Sequence, residues 1–189
     1  MRLATKIAAG VAALALGVVG HGIASASTTG PDLYGNFRNF HSGKCLDVRT
    51  QDDALAPGAR VQQYHCTGAL EQQWAGHYVG HRNNGPFSDP RLYQFKVKRS
   101  GMCLQPVSLP DPVVDGLPLV QWPCDETNEF QKWFARYPPD GAQGWVNART
   151  GKCIDVPDFS TADSVIIEQY QCNGSDAQLF HTKLETPNP

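Results

Sequence analysis

A seven-residue cysteine motif occurs three times in this chain of 189 residues and constrains its fold more than any other feature. The copies are Ser-Gly-Lys-Cys-Leu-Asp-Val at 42–48, Ser-Gly-Met-Cys-Leu-Gln-Pro at 100–106 and Thr-Gly-Lys-Cys-Ile-Asp-Val at 150–156. A second cysteine follows each copy at a similar distance, and after it comes a Gln-x-aromatic triplet at 72–74, 131–133 and 178–180. Because a unit of about 50 residues keeps the order of its landmarks, the sequence predicts three structurally equivalent repeats.

The six cysteines, one pair in each repeat, predict three disulfides. Six cysteines allow 15 pairings in general. Since equivalent repeats most simply form equivalent bonds, we expect Cys45–Cys66, Cys103–Cys124 and Cys153–Cys172. Each bond closes a loop of about 20 residues and stabilises the fold by about 3 kcal/mol in the chain-entropy description.

The segment at 1–26 has the pattern of a secretory signal peptide. Arg2 and Lys6 form a positive start, residues 7–19 form an apolar run, and residues 24–26, Ala-Ser-Ala, are a small-x-small cleavage site. The run is shorter than the roughly 20 residues that a spanning helix needs, although an uncleaved anchor is the alternative. We therefore predict a secreted protein that starts at Ser27, with residues 27–32 as a flexible lead-in and no membrane insertion.

The remainder of the chain, from Ser27 to Pro189, has the size of one compact domain. We place this domain at residues 33–186, with repeats at about 33–91, 92–142 and 143–186. The signal contains two of the 16 basic residues and none of the 18 acidic ones, so the mature chain has a net charge of −4. Nucleic acid and anionic membrane surfaces attract basic faces, so this charge argues against both as partners.

Short alternating segments predict an all-β chain. Residues 93–98, Tyr-Gln-Phe-Lys-Val-Lys, have the period-two pattern of a half-buried strand. The Ser-Gly or Thr-Gly pair before each first cysteine predicts a tight hairpin turn, and a strand is predicted before each second cysteine, at 61–64, 119–122 and 166–170. About four strands per repeat give about twelve short strands with pseudo-threefold symmetry.

Two excursions interrupt the equivalence of the repeats. Residues 76–90 are rich in Gly, Asn and Pro, residues 108–118 contain several prolines, and both stretches are predicted as loops. The first contains His77 and His81, but two histidines without a third ligand do not make a metal site. We expect neither a metal nor a cofactor.

The repeats resemble the ricin B-type lectin domain, a β-trefoil with three Gln-x-Trp subdomains. In the first repeat the resemblance rests on Gly-Lys-Cys-Leu-Asp-Val, Val-Gln-Gln-Tyr-His-Cys and Gln-Gln-Trp. In the third it rests on Gly-Lys-Cys-Ile-Asp-Val, Glu-Gln-Tyr-Gln-Cys-Asn-Gly and Gln-Leu-Phe. The resemblance covers residues 33 to about 184 and implies a β-trefoil that binds carbohydrate.

The resemblance also implies which residues contact sugar. A carboxylate after the first cysteine accepts hydrogen bonds from neighbouring hydroxyls, an aromatic ring before the second cysteine offers a flat apolar face, and amides complete the set. The matching residues are Asp47, Gln62, Tyr64, Glu71 and Gln72 in the first repeat, and Asp155, Glu168, Tyr170, Asn173 and Gln178 in the third. In the second repeat Gln105, Val120 and Phe130 stand at these positions, so we expect that site to be inactive.

Several of these residues also have a purely structural interpretation. Gln72, Gln131 and Gln178 recur even in the second repeat, as buried residues that fix a strand would. The aromatic residue that ends each triplet is expected in the core, and Asp47 and Asp155 would also suit the cap of a turn. The aspartate is lost only in the repeat that has lost its other polar partners, which favours the sugar-binding interpretation.

Three classes of function compete for this sequence. A lectin could engage one polymer at two sites of the same chain. A β-trefoil protein-binding module or protease inhibitor would act through residues 76–90 or 108–118. An enzyme is disfavoured because the sequence has no Gly-x-Ser-x-Gly, His-Glu-x-x-His or Gly-rich phosphate loop. We predict a secreted carbohydrate-binding protein without catalytic residues, whose ligand is a galactose-like, xylan-type or other glycan.

Overall fold

The computed structural model describes residues 32–82, 91–110, 112–136 and 142–182. This part of the chain contains thirteen β-strands and five one-turn 3₁₀ segments. The strands are β1 (Phe37–Asn39), β2 (Cys45–Val48), β3 (Val61–Tyr64), β4 (Trp74–His81), β5 (Arg91–Val97), β6 (Cys103–Pro106), β7 (Leu117–Trp122), β8 (Trp133–Arg136), β9 (Gln143–Asn147), β10 (Cys153–Asp155), β11 (Val165–Ile166), β12 (Glu168–Tyr170) and β13 (Leu179–Thr182). The predicted signal peptide lies outside the described residues.

Six strands, two from each repeat, form a closed barrel. Antiparallel pairs follow one another in the order β4–β5, β5–β8, β8–β9, β9–β13 and β13–β1. The ring closes where Gly35 and Trp74 exchange backbone hydrogen bonds of 2.9 and 2.7 Å. The chain's first and last described strands are therefore neighbours, and no barrel strand is left with an open edge at this seam.

Three hairpins, one from each repeat, cover one end of the barrel. They are β2–β3, β6–β7 and β10–β12. The hairpins pair with each other through β3–β11, β7–β12 and the bridge between Arg60 and Val120. A six-stranded barrel capped by a triangle of hairpins is the β-trefoil architecture that the resemblance implied.

An aromatic cluster lies where the three repeats meet in the core. Phe37, Phe95 and Trp145 each stand eight residues before a first cysteine and are at most 3 % exposed. The Phe95 ring centroid is 4.7 Å from those of Phe37 and Trp145, in edge-to-face geometry, and Phe37 and Trp145 are 6.0 Å apart. One side chain per repeat thus packs against the other two, which ties the three repeats into a single core.

The three predicted disulfides are confirmed, with Cα–Cα distances of 5.0–5.1 Å. Each bond ties the start of one hairpin strand to the residue just beyond the other. The indole N–H groups of Trp74 and Trp133 donate to the carbonyls of Leu46 and Leu104, both at 3.1 Å. These tryptophans and Phe180 are buried, as expected for the aromatic residue of each triplet.

Two details of the sequence prediction need correction. The predicted strand at 166–170 is split at Ile167, because β11 pairs with β3 of the first repeat while β12 pairs with β10 and β7. This change of partner makes thirteen strands rather than twelve. Residues 76–81, predicted as a loop, belong to β4 and pair with β5, and residues 83–90 lie outside the described part. The pairing with β5 continues to His81 across a register shift between Tyr78 and Gly80.

Candidate functional site

The predicted sugar ligands face each other across the three capping hairpins. In the first repeat Asp47 is the direct cross-strand partner of Gln62, and Cys45 is that of Tyr64. The same register pairs Asp155 with Glu168 in the third repeat and Gln105 with Val120 in the second. Because the register is identical, each difference between the three sites comes from the side chains and not from the backbone.

In the first repeat a carboxylate and an amide lie together in a nearly buried position. Asp47 is 6 % exposed, and its Oδ1 accepts a hydrogen bond of 2.8 Å from Gln62 Nε2. Gln62 Oε1 is buried and has no hydrogen-bond partner among the described residues. Tyr64 is half-buried, with its ring centroid 4.3 Å from that of His65. These groups provide two acceptors and an aromatic face at one location.

The Asp47 carboxylate is held in an environment that disfavours its charge. Burial raises the pKa of Asp47 above the ordinary value of 3.8. Hydrogen bonds from the Gln62 and Gln72 amides oppose this rise in pKa, and the charge of Glu71 adds to it. Glu71 itself forms an ion pair with Arg99 of the second repeat, with Nε 3.3 Å from Oε1.

The third repeat has the same geometry with a different charge. Asp155 is 7 % exposed and faces Glu168, which stands where the first repeat has Gln62. Burial raises the pKa values of both carboxyls, and Asp115 and Asp158 raise them further by their charge. The Gln178 amide opposes the rise at Asp155 by a hydrogen bond.

The remaining predicted ligands of the third repeat lie on its surface. Tyr170 is 40 % exposed and presents its ring to solvent. Asn173 is also accessible, and its side-chain oxygen accepts a hydrogen bond of 2.9 Å from the Ser175 N–H. Ala177, at the position of Glu71, is buried in the core, so it offers nothing to a ligand.

In the second repeat the equivalent position is neutral and satisfied internally. Gln105 Oε1 accepts hydrogen bonds from Gln131 Nε2 at 2.9 Å and Asn128 Nδ2 at 3.3 Å. Its cross-strand partner Val120 is buried. Trp122, at the position of Tyr64 and Tyr170, is 45 % exposed. This repeat therefore keeps an accessible aromatic ring on its hairpin but lacks the carboxylate beside it.

The glutamine of each triplet is a structural residue in all three repeats. It lies in the 3₁₀ turn just before the last strand of each repeat. The side-chain Nε2 of this glutamine donates to the carbonyl of the residue before the second cysteine. Its Oε1 accepts from the N–H of the residue after the same cysteine, and all six distances are 2.8–3.0 Å. The sets are Gln72 with His65 and Thr67, Gln131 with Pro123 and Asp125, and Gln178 with Gln171 and Asn173. In the first and third repeats the same amide also lowers the pKa of the aspartate, opposing the effect of burial.

A second set of glutamines, which the sequence reasoning missed, joins the repeats to each other. Each stands three residues before a second cysteine and donates from Nε2 to two backbone carbonyls of a neighbouring repeat. Gln63 bonds Ser160 and Ala162, Gln121 bonds Ala54 and Ala56, and Gln169 bonds Pro112 and Val114, at 2.6–3.1 Å. Their recurrence at one position in every copy is the sequence signal that identifies them.

The two excursions make structural contacts where they are described. His77 Nε2 lies 2.5 Å from Asp32 Oδ1, and Tyr78 contacts His81. In the second excursion β7 begins at Leu117. Within the described ranges there is no cluster of three or more His, Cys, Asp or Glu residues suited to a metal ion, and no helix long and apolar enough to cross a membrane.

The sequence and the hairpin geometry can now be placed among known proteins. The ricin-type beta-trefoil lectin domain matches residues 33–180. The chain belongs to this family. Domains of the family bind carbohydrate and are not themselves catalytic. A comparison with curated protein sequences finds no match.

Solved structures confirm the fold. ThreeFoil, a designed protein with threefold symmetry, is 29 % identical with a TM-score of 0.66, over 79 % of this chain and 96 % of that one. The exo-beta-1,3-galactanase of Clostridium thermocellum is 28 % identical with a TM-score of 0.64, over 82 % of this chain but only 31 % of the galactanase. The C-half of the earthworm R-type lectin, solved with GalNAc, is 15 % identical with a TM-score of 0.55, over 80 % of this chain and 98 % of that one.

The hydrogen bonds of the triplet glutamines predict that these residues stabilise the fold whether or not their repeat binds sugar. Gln131→Ala and Gln72→Ala should each lower the free energy of unfolding by about 1–3 kcal/mol, because each removes the side-chain partner of a partly buried backbone N–H and carbonyl. Urea unfolding with the disulfides intact measures the change. Gln51→Ala, at an exposed position, is the matched control and should stay within about 0.5 kcal/mol. Equal values for Gln131→Ala and Gln51→Ala would contradict the assignment.

Proposed function

We propose that this protein is a secreted lectin that binds glycans at the first and third repeats, while the second repeat serves the scaffold. The observation that carries the proposal is the contrast between three hairpins of identical register. A neutral glutamine at 105 satisfies its hydrogen bonds internally, whereas Asp47 and Asp155 keep carboxylates in positions that penalise charge. Burying a carboxylate costs stability, so its retention in two repeats is best explained by a ligand.

The proposed sites have the groups that a sugar requires. An ionised aspartate accepts two hydroxyl hydrogen bonds, and these charge-assisted bonds are the strong ones. Tyr64 and Tyr170 present rings beside the carboxylates for the C–H face of a pyranose. Gln62 adds an amide to the first site, while Gln72 and Gln178 hold the carboxylates in place. Sites with so few polar groups should bind a single sugar at about the millimolar level, and engaging one polymer at both sites raises the overall affinity.

Secretion follows from the signal-like segment at 1–26 together with the disulfides. Three disulfides are at home in an oxidising compartment outside the cytosol. The proposal therefore places the lectin outside the cell after cleavage near Ala26.

The ligand class is tested by a glycan array followed by pull-down on insoluble polysaccharides. The 28 % identity with an exo-beta-1,3-galactanase makes β-1,3-galactan the first polymer to examine, with xylan and chitin beside it. Retention on one polymer supports the lectin function. If no glycan on the array and none of the polymers is retained, the proposal fails.

The site assignment predicts the effect of removing both charges. Asp47→Asn combined with Asp155→Asn should abolish retention on the polysaccharide, because an amide has only one acceptor oxygen and no charge. The free energy of unfolding should not fall, since burial disfavours the charged carboxylates that the change removes. Affinity electrophoresis and urea unfolding measure the two effects. Asp52→Asn, which changes a carboxylate bonded to Arg49 and Arg60, is the control that keeps binding. Unchanged retention in the double variant would refute the assignment.

The raised pKa values predict that binding is lost in mild acid. A site that needs an ionised carboxylate loses its sugar as the pH falls through the raised pKa of Asp47 or Asp155, so the decline in retention should have its midpoint above pH 3.8. Protonation here does not unfold the protein: a carboxyl with a raised folded-state pKa adds stability at low pH and loses that contribution as the pH rises through its folded-state pKa. Retention should be followed from neutral pH into mild acid alongside circular dichroism. A midpoint at or below 3.8 in an unchanged fold contradicts the prediction.

The difference between Gln62 and Glu168 predicts a gain of function. Glu168→Gln should raise the affinity of the third site for neutral sugars, because the new amide can donate to Asp155 as Gln62 does to Asp47. The change also removes a carboxyl whose pKa is raised by burial and by the charge of Asp155. The measurement is retention in an Asp47→Asn background, where only the third site is intact. The reciprocal Gln62→Glu in an Asp155→Asn background should weaken the first site, and an unchanged affinity in both would oppose the prediction.

A further inference from the structure

A carboxylate from the third repeat is bonded to the first site. Asp163 Oδ1 accepts from the His65 N–H at 2.8 Å and lies 2.7 Å from Lys44 Nζ, and Asp163 Oδ2 lies 3.0 Å from His65 Nδ1. His65 stands between Tyr64 and Cys66, and Lys44 directly precedes Cys45. Asp163 therefore holds both ends of the disulfide that flanks the first site.

A carboxylate from the second repeat is bonded to the third site in the same way. Asp115 Oδ1 accepts from the Gln171 N–H and from Lys152 Nζ, both at 2.7 Å. Gln171 stands between Tyr170 and Cys172, and Lys152 directly precedes Cys153. The second repeat, which has only glutamine, valine and phenylalanine at its own polar ligand positions, thus supplies a charged group to its neighbour.

At the third equivalent loop position there is no carboxylate, and the receiving repeat also lacks the lysine and the N–H that would contact one. Ser164, Gly116 and Gly58 each donate a backbone hydrogen bond of 2.8–2.9 Å to the repeat-joining glutamine of the next repeat, which makes them equivalent. The residue before Gly58 is Pro57, at the position of Asp163 and Asp115. On the receiving second repeat Met102 replaces the lysine, and Pro123, which has no N–H, replaces His65 or Gln171.

We propose that Asp163 and Asp115 are positioning residues for the sugar site of the neighbouring repeat, Asp163 for the first site and Asp115 for the third. This inference rests on the proposed function. A carboxylate stands at this loop position only where the receiving repeat also carries the buried aspartate, and the loop that faces the repeat with Gln105 has Pro57 there. The carboxylate, the lysine and the donating N–H are present or absent together with the proposed ligand set.

The physical role is to fix the segment that carries the aromatic ring. The hydrogen bond to the N–H after Tyr64 or Tyr170 holds that peptide against the neighbouring loop. The Asp163 carboxylate is 37 % exposed, as is that of Asp115, and exposed ion pairs contribute little to folding stability. The consequence of losing either group is therefore expected in sugar binding more than in the stability of the fold.

The test crosses the two carboxylates with two single-site backgrounds. Asp155→Asn leaves only the first site, and Asp47→Asn leaves only the third. Asp163→Ala and Asp115→Ala are placed in each background, and affinity electrophoresis is run in gels containing β-1,3-galactan and, in parallel, xylan. Losing the carboxylate, with its hydrogen bond from the peptide N–H and its ion pair with the lysine, should weaken the affected site about tenfold or more, while the other site should change by no more than about twofold.

Asp163→Ala is expected to weaken the first site and spare the third, although Asp163 is nearer to Asp155 in the sequence. Asp115→Ala is expected to weaken the third site and spare the first. Asp163→Asn keeps an acceptor for the His65 N–H and should restore most of the first-site affinity. Urea unfolding of each variant shows whether the fold is retained.

Three results would overturn the inference: equal losses at both sites, loss at the first site with Asp115→Ala or at the third with Asp163→Ala in place of the expected one, or no loss at either site. If both single-site backgrounds bind a polymer and one of these results is obtained, the lectin function stands. Only the positioning role is then refuted. If neither background binds either polymer, the proposed function itself fails, and the inference falls with it.

Discussion

The three hairpins are held together by hydrogen bonds to the backbone carbonyls of the loops between their strands. Gln63, Gln121 and Gln169 supply them, each donating to two carbonyls of a neighbouring repeat. The first repeat bonds the third, the second bonds the first, and the third bonds the second. A buried carbonyl without a donor costs about 1–3 kcal/mol, so the capping structure of one repeat depends on the presence of the other two.

The residues that build the scaffold and those proposed to bind sugar alternate along the same strands. Gln63 reaches the neighbouring repeat, whereas its predecessor Gln62 donates to Asp47. This division follows from the period of two of a β-strand, in which adjacent side chains point to opposite faces. Ligand positions can therefore change without disturbing the repeat contacts. The second repeat shows the result: Gln105 and Val120 have replaced the polar pair, while Gln121 and Gln131 keep their structural hydrogen bonds.

Sequence spacing predicted the fold and the disulfides because both depend on contacts that every repeat makes within itself. The cysteine pairs, the hairpin turns and the buried aromatic of each triplet lie at similar distances along the chain in each repeat. The two roles of Gln72 and its equivalents were both foreseen, but only the hydrogen bonds to the peptides around the second cysteine show that the structural role is present in every repeat. Residues 76–81 were misjudged because their Gly and His content hid the pairing of β4 with β5.

Contacts between repeats could not be predicted in the same way. The loops that meet the neighbouring hairpins read Ala-Leu-Ala-Pro-Gly at 54–58, Pro-Val-Val-Asp-Gly at 112–116 and Ser-Thr-Ala-Asp-Ser at 160–164. Nothing in these letters aligns Pro57 with Asp115 and Asp163, and only the shared hydrogen bonds to Gln121, Gln169 and Gln63 do so. Under the proposal that these carboxylates position the site of the next repeat, the affinity of a site depends on the sequence of its neighbour. A repeat without its own sugar ligands can still contribute Asp115 to an adjacent site. Substitutions in that repeat would therefore still affect sugar binding by its neighbour.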